Sequence, residues 1–161
     1  VQHIKGGRLD EALVEAGRAA FQRWLVVKPR ILKRAAAVQA DLLAGLPAEE
    51  WLAVHIRLTD KMHQCSANCL ERDDLASQIR AFSKALCCRG VFLCSDDVEM
   101  KRALRGDLAR VGLRVAMHDA LLSKASGQPS HKDEELDRRR NAEDVLIEAM
   151  LMARCRALLS T

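Results

Sequence analysis

The chain has 161 residues, 49% of them hydrophobic and 30% charged, with a formal net charge of +4. This size supports one domain with a real core, and the balance excludes an intrinsically disordered chain. No apolar run reaches the roughly 20 residues of a membrane span, and the start lacks the basic-then-apolar pattern of a signal peptide. Basic residues are scattered apart from Arg138-Arg139-Arg140, and with two tryptophans, three phenylalanines and no tyrosine there are few platforms for base stacking. The charge therefore reads as a solvated surface rather than a nucleic-acid face.

In chain order, the spacing of Leu9, Leu13, Ala16, Ala20 and Trp24 predicts a helix between Arg8 and Val27. Pro29 suits the first turn of a second helix with Ile31, Ala35, Val38 and Leu42 on one stripe, ended by Gly45 and Pro47. Trp51 to Ile56 is a short apolar run, expected as a buried strand. Asp73 or Asp74 should cap a helix presenting Leu75, Ile79, Phe82 and Leu86, with Gly90 as its stop. Val91 to Cys94 is the next strand. Asp96 with Glu99 resembles an N-terminal capping pair for a helix carrying Met100, Ala103, Leu104, Leu108 and Val111, which Gly112 ends. Leu113 to Met117 is a third strand, a polar loop runs from Asp119 to about Asp137, Asn141 should cap a last helix, and a strand begins at Leu158. Strands alternating with helices argue for an α/β fold, a parallel sheet with helices on both faces.

The six cysteines are Cys65, Cys69, Cys87, Cys88, Cys94 and Cys155. A domain this large does not depend on disulfides, and Cys94 in an apolar strand reads as a buried thiol. His63, Cys65 and Cys69 supply three zinc-type ligands without a fourth and without a Cys-x-x-Cys pair, so no metal is expected.

Ligands of such sheets sit outside the carboxyl ends of the strands. The first strand delivers His55, Arg57, Asp60 and Lys61, the second Ser95, Asp96 and Asp97, and the last Ser160 and Thr161. Arg57 directly follows an apolar strand and suits a forked, charge-assisted pair with phosphate. His55 is either ligand-facing or a core histidine. One of Asp96 and Asp97 can cap a helix while the other reaches a ligand. Glu148 lies in a segment apolar nearly all round, Val145 to Ala153, and is expected as a structural buried acid that finds a partner or takes up a proton. Ser123, Ser126, His131 and Lys132 fall in the long polar loop, a common place for function.

These segments resemble, in order, the donor-binding half of the α1,6-fucosyltransferase and nodulation fucosyltransferase group, which shares a motif with protein O-fucosyltransferases. His55-x-Arg57-x-Thr59-Asp60-Lys61 is similar to the family's His-x-Arg-Arg-Thr-Asp-Lys, and Phe92 to Asp97 to its strand ending in Ala-Thr-Asp-Asp-Pro. Glu143 to Cys155 is similar to its Asp-Val-Leu-Ile-Asp-Ala-Leu-Leu-Leu-Ser-Arg-Cys segment. The resemblance implies a Rossmann-like half of a GT-B glycosyltransferase that uses GDP-fucose without a metal. It assigns Arg57 to the diphosphate, His55 and Asp97 to guanine with Asp96 beside them, Ser123 or Ser126 to the phosphate, and Asp60 and Lys61 to the catalytic motif. It also implies a glycan or glycoprotein acceptor, and a Golgi or ER-lumen setting in a eukaryote or a cytoplasmic one in a bacterium. On this expectation 1–47 is a helical lead-in from a further N-terminal lobe, and 48–161 is a GDP-sugar-binding domain that stops within its last strand. Leu58 stands in place of the second arginine, Val98 in place of the proline, Glu148 in place of an aspartate, and Cys65 in place of an acid suited to base catalysis. Two alternatives stay open: an inactive nucleotide-binding module of the same fold, and a zinc or redox interaction domain built on the cysteines.

Overall fold

The computed structural model describes residues 11–57, 72–120 and 137–160. Two helices, α1 (Glu11–Trp24) and α2 (Pro29–Leu42), precede a short 3-10 turn, Ala48–Glu50. The alternation then runs β1 (Trp51–Ile56), α3 (Arg72–Ala85), β2 (Gly90–Ser95), α4 (Val98–Arg110), β3 (Arg114–Ala116), α5 (Arg138–Met152) and β4 (Ala157–Ser160). The strands form one parallel sheet in the order β3-β2-β1-β4. This is the expected α/β architecture.

β1 and β2 are central, so both of their faces are covered, and their sequences are accordingly near-continuous in apolar residues. Alternation divides them between two cores. Leu52, Val54, Ile56, Val91 and Leu93 pack against Leu75 and Ile79 of α3 and Leu104 and Leu108 of α4. Trp51, Phe92 and Cys94 pack on the opposite face against Ile31 and Ala35 of α2 and Ile147 and Leu151 of α5. Helices thus cover both faces, and α2 and α5 form one layer.

The punctuation of the elements differs from expectation at several points. α3 does not stop at Gly90. It ends at Ala85 in a reversal where Cys87 takes the left-handed conformation, φ 53°. The Cys88 amide donates to the Ser83 carbonyl at 2.8 Å and the Cys87 amide to that of Lys84 at 3.2 Å, the two-bond Schellman closure. Gly90 instead opens β2. Gly112 ends α4 as expected, with φ 82° and the same bond pattern from Gly112 to Ala109 and Leu113 to Leu108.

The caps shift too. Asp73 and Asp74 lie inside the first turn of α3, where their charge favours the helix dipole. α4 is capped by Asp97 rather than by Asp96 with Glu99. β2 runs on to Ser95, and the extended backbone of Asp97 brings its Oδ1 to 2.8 Å from the Met100 amide. α5 is capped by Asp137, whose carboxylate accepts from the Arg140 amide at 3.0 Å; Asn141 lies a turn inside the helix.

Helical faces are narrower than periodicity implied. Phe82 and Val111 are exposed, and Ser83 takes the buried position after Leu75 and Ile79. α5 is not buried all round: Asp144, Ile147 and Leu151 form its inner stripe while Val145 faces solvent. Trp24 at the end of α1 is also exposed and lies under the Arg23 guanidinium. β3 is confined to Arg114–Ala116. Among the described residues no helix is long and apolar enough to cross a membrane.

Candidate functional site

The order of the strands locates the site. From β1 the chain moves outward through β2 to β3, with α3 and α4 on one face. It then returns through α5, on the other face, to place β4 beside β1. Chain direction across the sheet therefore reverses between β1 and β4, and a crevice opens outside the carboxyl ends of strands at such a point.

His55 and Ser160 flank that reversal. They are register partners in the parallel pair, and His55 Nδ1 lies 3.5 Å from Ser160 Oγ, a long contact. His55 is half-buried and opposite Cys94 on its other side. Arg57 directly follows β1 and is exposed. Across β1, the end of β2 is held by its own side chains. Ser95 is buried, and its hydroxyl accepts from the Asp97 amide at 3.1 Å. Asp97 caps α4 through Oδ1, and Asp96 stands beside it just beyond the end of β2. His55, Arg57, Ser95, Asp96, Asp97 and Ser160 all lie along one edge, as the sequence led one to expect. Asp60, Lys61, Ser123, Ser126 and Thr161 lie outside the described residues, as do His63, Cys65, Cys69, His131 and Lys132.

A second polar group stands beyond the ends of β2 and β3, and most of it was not foreseen. Asp144 is fully buried; the Arg34 guanidinium lies 2.5 Å from its Oδ1, and His118 Nε2 lies 3.4 Å from the same atom. Buried Lys101 donates to the His118 carbonyl at 2.8 Å, and its ammonium is 3.6 Å from Glu148 Oε1. The first is a hydrogen bond; the second is the distance of an ion pair. Glu148 was expected as a buried acid, and its side chain is 12% exposed with Lys101 as the partner. Burial raises its pKa, against the opposing pull of Lys101. Burial also lowers that of His118, against the pull of Asp144, and raises that of the Cys94 thiol most of all, with Glu148 adding to the effect.

The signal for the unforeseen residues was present. Lys101, Leu104 and Leu108 repeat at i, i+3 and i+7, and so do Asp144, Ile147 and Leu151. Each helix places a charged group at the first position of its buried stripe, at the carboxyl edge of the sheet.

Cys87, Cys88, Cys94 and Cys155 are free thiols. Among the described residues no three histidines, cysteines or acids are grouped to hold a metal. A scan of the chain against models of protein families finds no match, and a search of curated proteins finds no similar sequence.

Proposed function

We propose that the chain is the donor-binding part of a GT-B-type fucosyltransferase, taking GDP-fucose at the carboxyl edge of its sheet. The observation that supports this most directly is the convergence of His55, Arg57 and Ser160 at the β1/β4 reversal, with Asp96 beside them at the end of β2. The ordered resemblance of the same segments to the fucosyltransferase group supplies the ligand.

In this reading Arg57 meets the diphosphate. A guanidinium suits it because its fork pairs with two phosphate oxygens and keeps its charge at any working pH. Breaking the fucose–phosphate bond leaves negative charge on GDP, and a preorganised cation stabilises that charge as it grows. An acceptor hydroxyl on a glycan or glycoprotein attacks the sugar carbon as the bond to phosphate breaks, giving its proton to a base. Asp96 serves guanine, since a carboxylate accepts two N–H bonds from that base's edge. Asp97 holds the turn, its Oδ1 being occupied by Met100. His55 completes the base side.

The test is thermal denaturation with GDP, GDP-fucose, UDP and ADP. GDP and GDP-fucose at roughly 100 times their dissociation constants should stabilise the protein by about 2.7 kcal/mol, UDP and ADP by clearly less. Equal stabilisation by all four would remove the guanine assignment.

A further inference from the structure

Lys101 is a lysine with almost no exposure, 6%. Burying an ammonium is costly unless it is paired and hydrogen-bonded, and its two partners both lie outside α4. One is the backbone carbonyl of His118, two residues beyond β3, at 2.8 Å. The other is the carboxylate of Glu148 on α5, at 3.6 Å. α4 packs on one face of the sheet and α5 on the other, so the side chain reaches round the carboxyl edge and joins the two layers.

Its own backbone lies one turn from the Ser95–Asp97 corner. The Lys101 amide donates to the Asp97 carbonyl at 3.0 Å, the Asp97 carboxylate caps the same turn, and the Asp97 amide donates to Ser95 Oγ. That corner is thus a small rigid unit, and Lys101 fixes it to β3 and α5. His118 is held a second time by Asp144, which Arg34 of α2 braces.

On the donor-binding reading above, we propose that Lys101 is a positioning residue, setting the place of Asp96 at the carboxyl edge by tying the first turn of α4 to the end of β3 and to Glu148. It needs no contact with the ligand. Lysine serves because its flexible stem passes between buried groups while its head supplies both a donor and a charge.

The experiment compares the wild-type protein with Lys101→Met, Lys101→Gln and Lys101→Arg. GDP and UDP dissociation constants are measured by calorimetry, and amide hydrogen exchange is followed for 96–100 and 118–120 without ligand. Lys101→Met should fold, weaken GDP roughly tenfold, as small misplacements of a binding group do, and narrow the preference for GDP over UDP. Exchange should quicken in both segments together. Lys101→Arg should recover most of the affinity. Wild-type GDP affinity in a folded Lys101→Met protein, unchanged exchange, or an arginine variant no better than methionine would each overturn the proposal. Should Lys101→Met not fold, Lys101→Gln is judged by the same criteria. A wild-type protein that ignores GDP overturns the donor reading; joint quickening of the two segments would still support the tie, and its absence would overturn that as well.

Discussion

Gly90 lies directly beneath Trp51. The two are register partners in β1 and β2, and a Cβ added at Gly90 would stand 2.5 Å from Cε3 of the indole. Trp51 is fully buried, with the Arg114 guanidinium over its ring, so it has nowhere to move. Gly90→Ala should therefore destabilise the fold by about 1–3 kcal/mol through overpacking. Gly106, inside α4, offers the contrast: among the described residues a Cβ there meets only Arg110 Nη2 at 3.9 Å. Gly106→Ala should stabilise by roughly 0.5–1 kcal/mol through helix propensity. Denaturant midpoints for the two variants should move in opposite directions, and a shared direction would contradict the packing around Trp51.

Arg34 and Asp144 bind α2 to α5. The carboxylate is fully buried while the arginine is about one-third exposed, at 35%. Removing one member leaves the other to be judged by its surroundings. Asp144→Ala should cost about 3 kcal/mol, because it removes the buried carboxylate that both Arg34 and His118 meet, although Glu143 stays 3.7 Å from Arg34. Arg34→Met should cost less, about 1–2 kcal/mol, since solvent screens that end and Arg140 remains 4.0 Å from Asp144 Oδ2. A double-mutant cycle in equilibrium unfolding should return a coupling of about 1 kcal/mol or more. Strict additivity would reduce the pair to a surface contact.

Buried titratable groups make stability depend on pH in opposite senses. Glu148, with its pKa raised by burial from the ordinary 4.5, gives its full contribution below that value and loses it as pH rises through the raised one. His118, lowered by burial from 6.5, contributes fully above that value and loses it as pH falls through the depressed one. The groups facing Glu148 are Lys101 of α4, Cys94 of β2 and Asp144 of its own helix; those facing His118 are Asp144, Arg34 of α2 and Lys101. Melts from about pH 5 to 8 should therefore show the wild type losing ground to Glu148→Gln as pH rises. His118→Asn should flatten the acid limb. Parallel curves for wild type and Glu148→Gln would mean that the acid titrates as in water.

The order of elements was legible because buried strands, acidic caps and glycine stops recur in a fixed rhythm, and the carboxyl edge followed from that order. What misled was chemistry shared by two roles. A glycine after a helix and a glycine under an indole look alike in sequence, and only the pairing of β1 with β2 separates Gly90 from Gly112. Two adjacent aspartates cannot declare which one caps until the end of β2 is known. Lys101 and Asp144 were passed over because charged residues are rarely buried unless paired. Their partners, Glu148 and His118 for one, Arg34 and His118 for the other, are brought near only by the crossing of layers.

The most direct test of the site is Arg57. It follows β1 at the strand reversal and is exposed, so its replacement should leave the cores intact. If it holds the diphosphate and the charge that develops there, Arg57→Ala should abolish fucose transfer, and GDP should no longer stabilise the protein. Losing such a donor costs on the order of 3 kcal/mol in the transition state. Arg57→Lys should recover little, because an ammonium keeps the charge but not the planar fork. Leu58→Ala should act differently, with any loss of rate following a loss of stability. Melting curves and initial transfer rates, taken together for the three variants, distinguish these outcomes. A folded Arg57→Ala protein with near-normal rate and GDP affinity would move the donor site away from the end of β1.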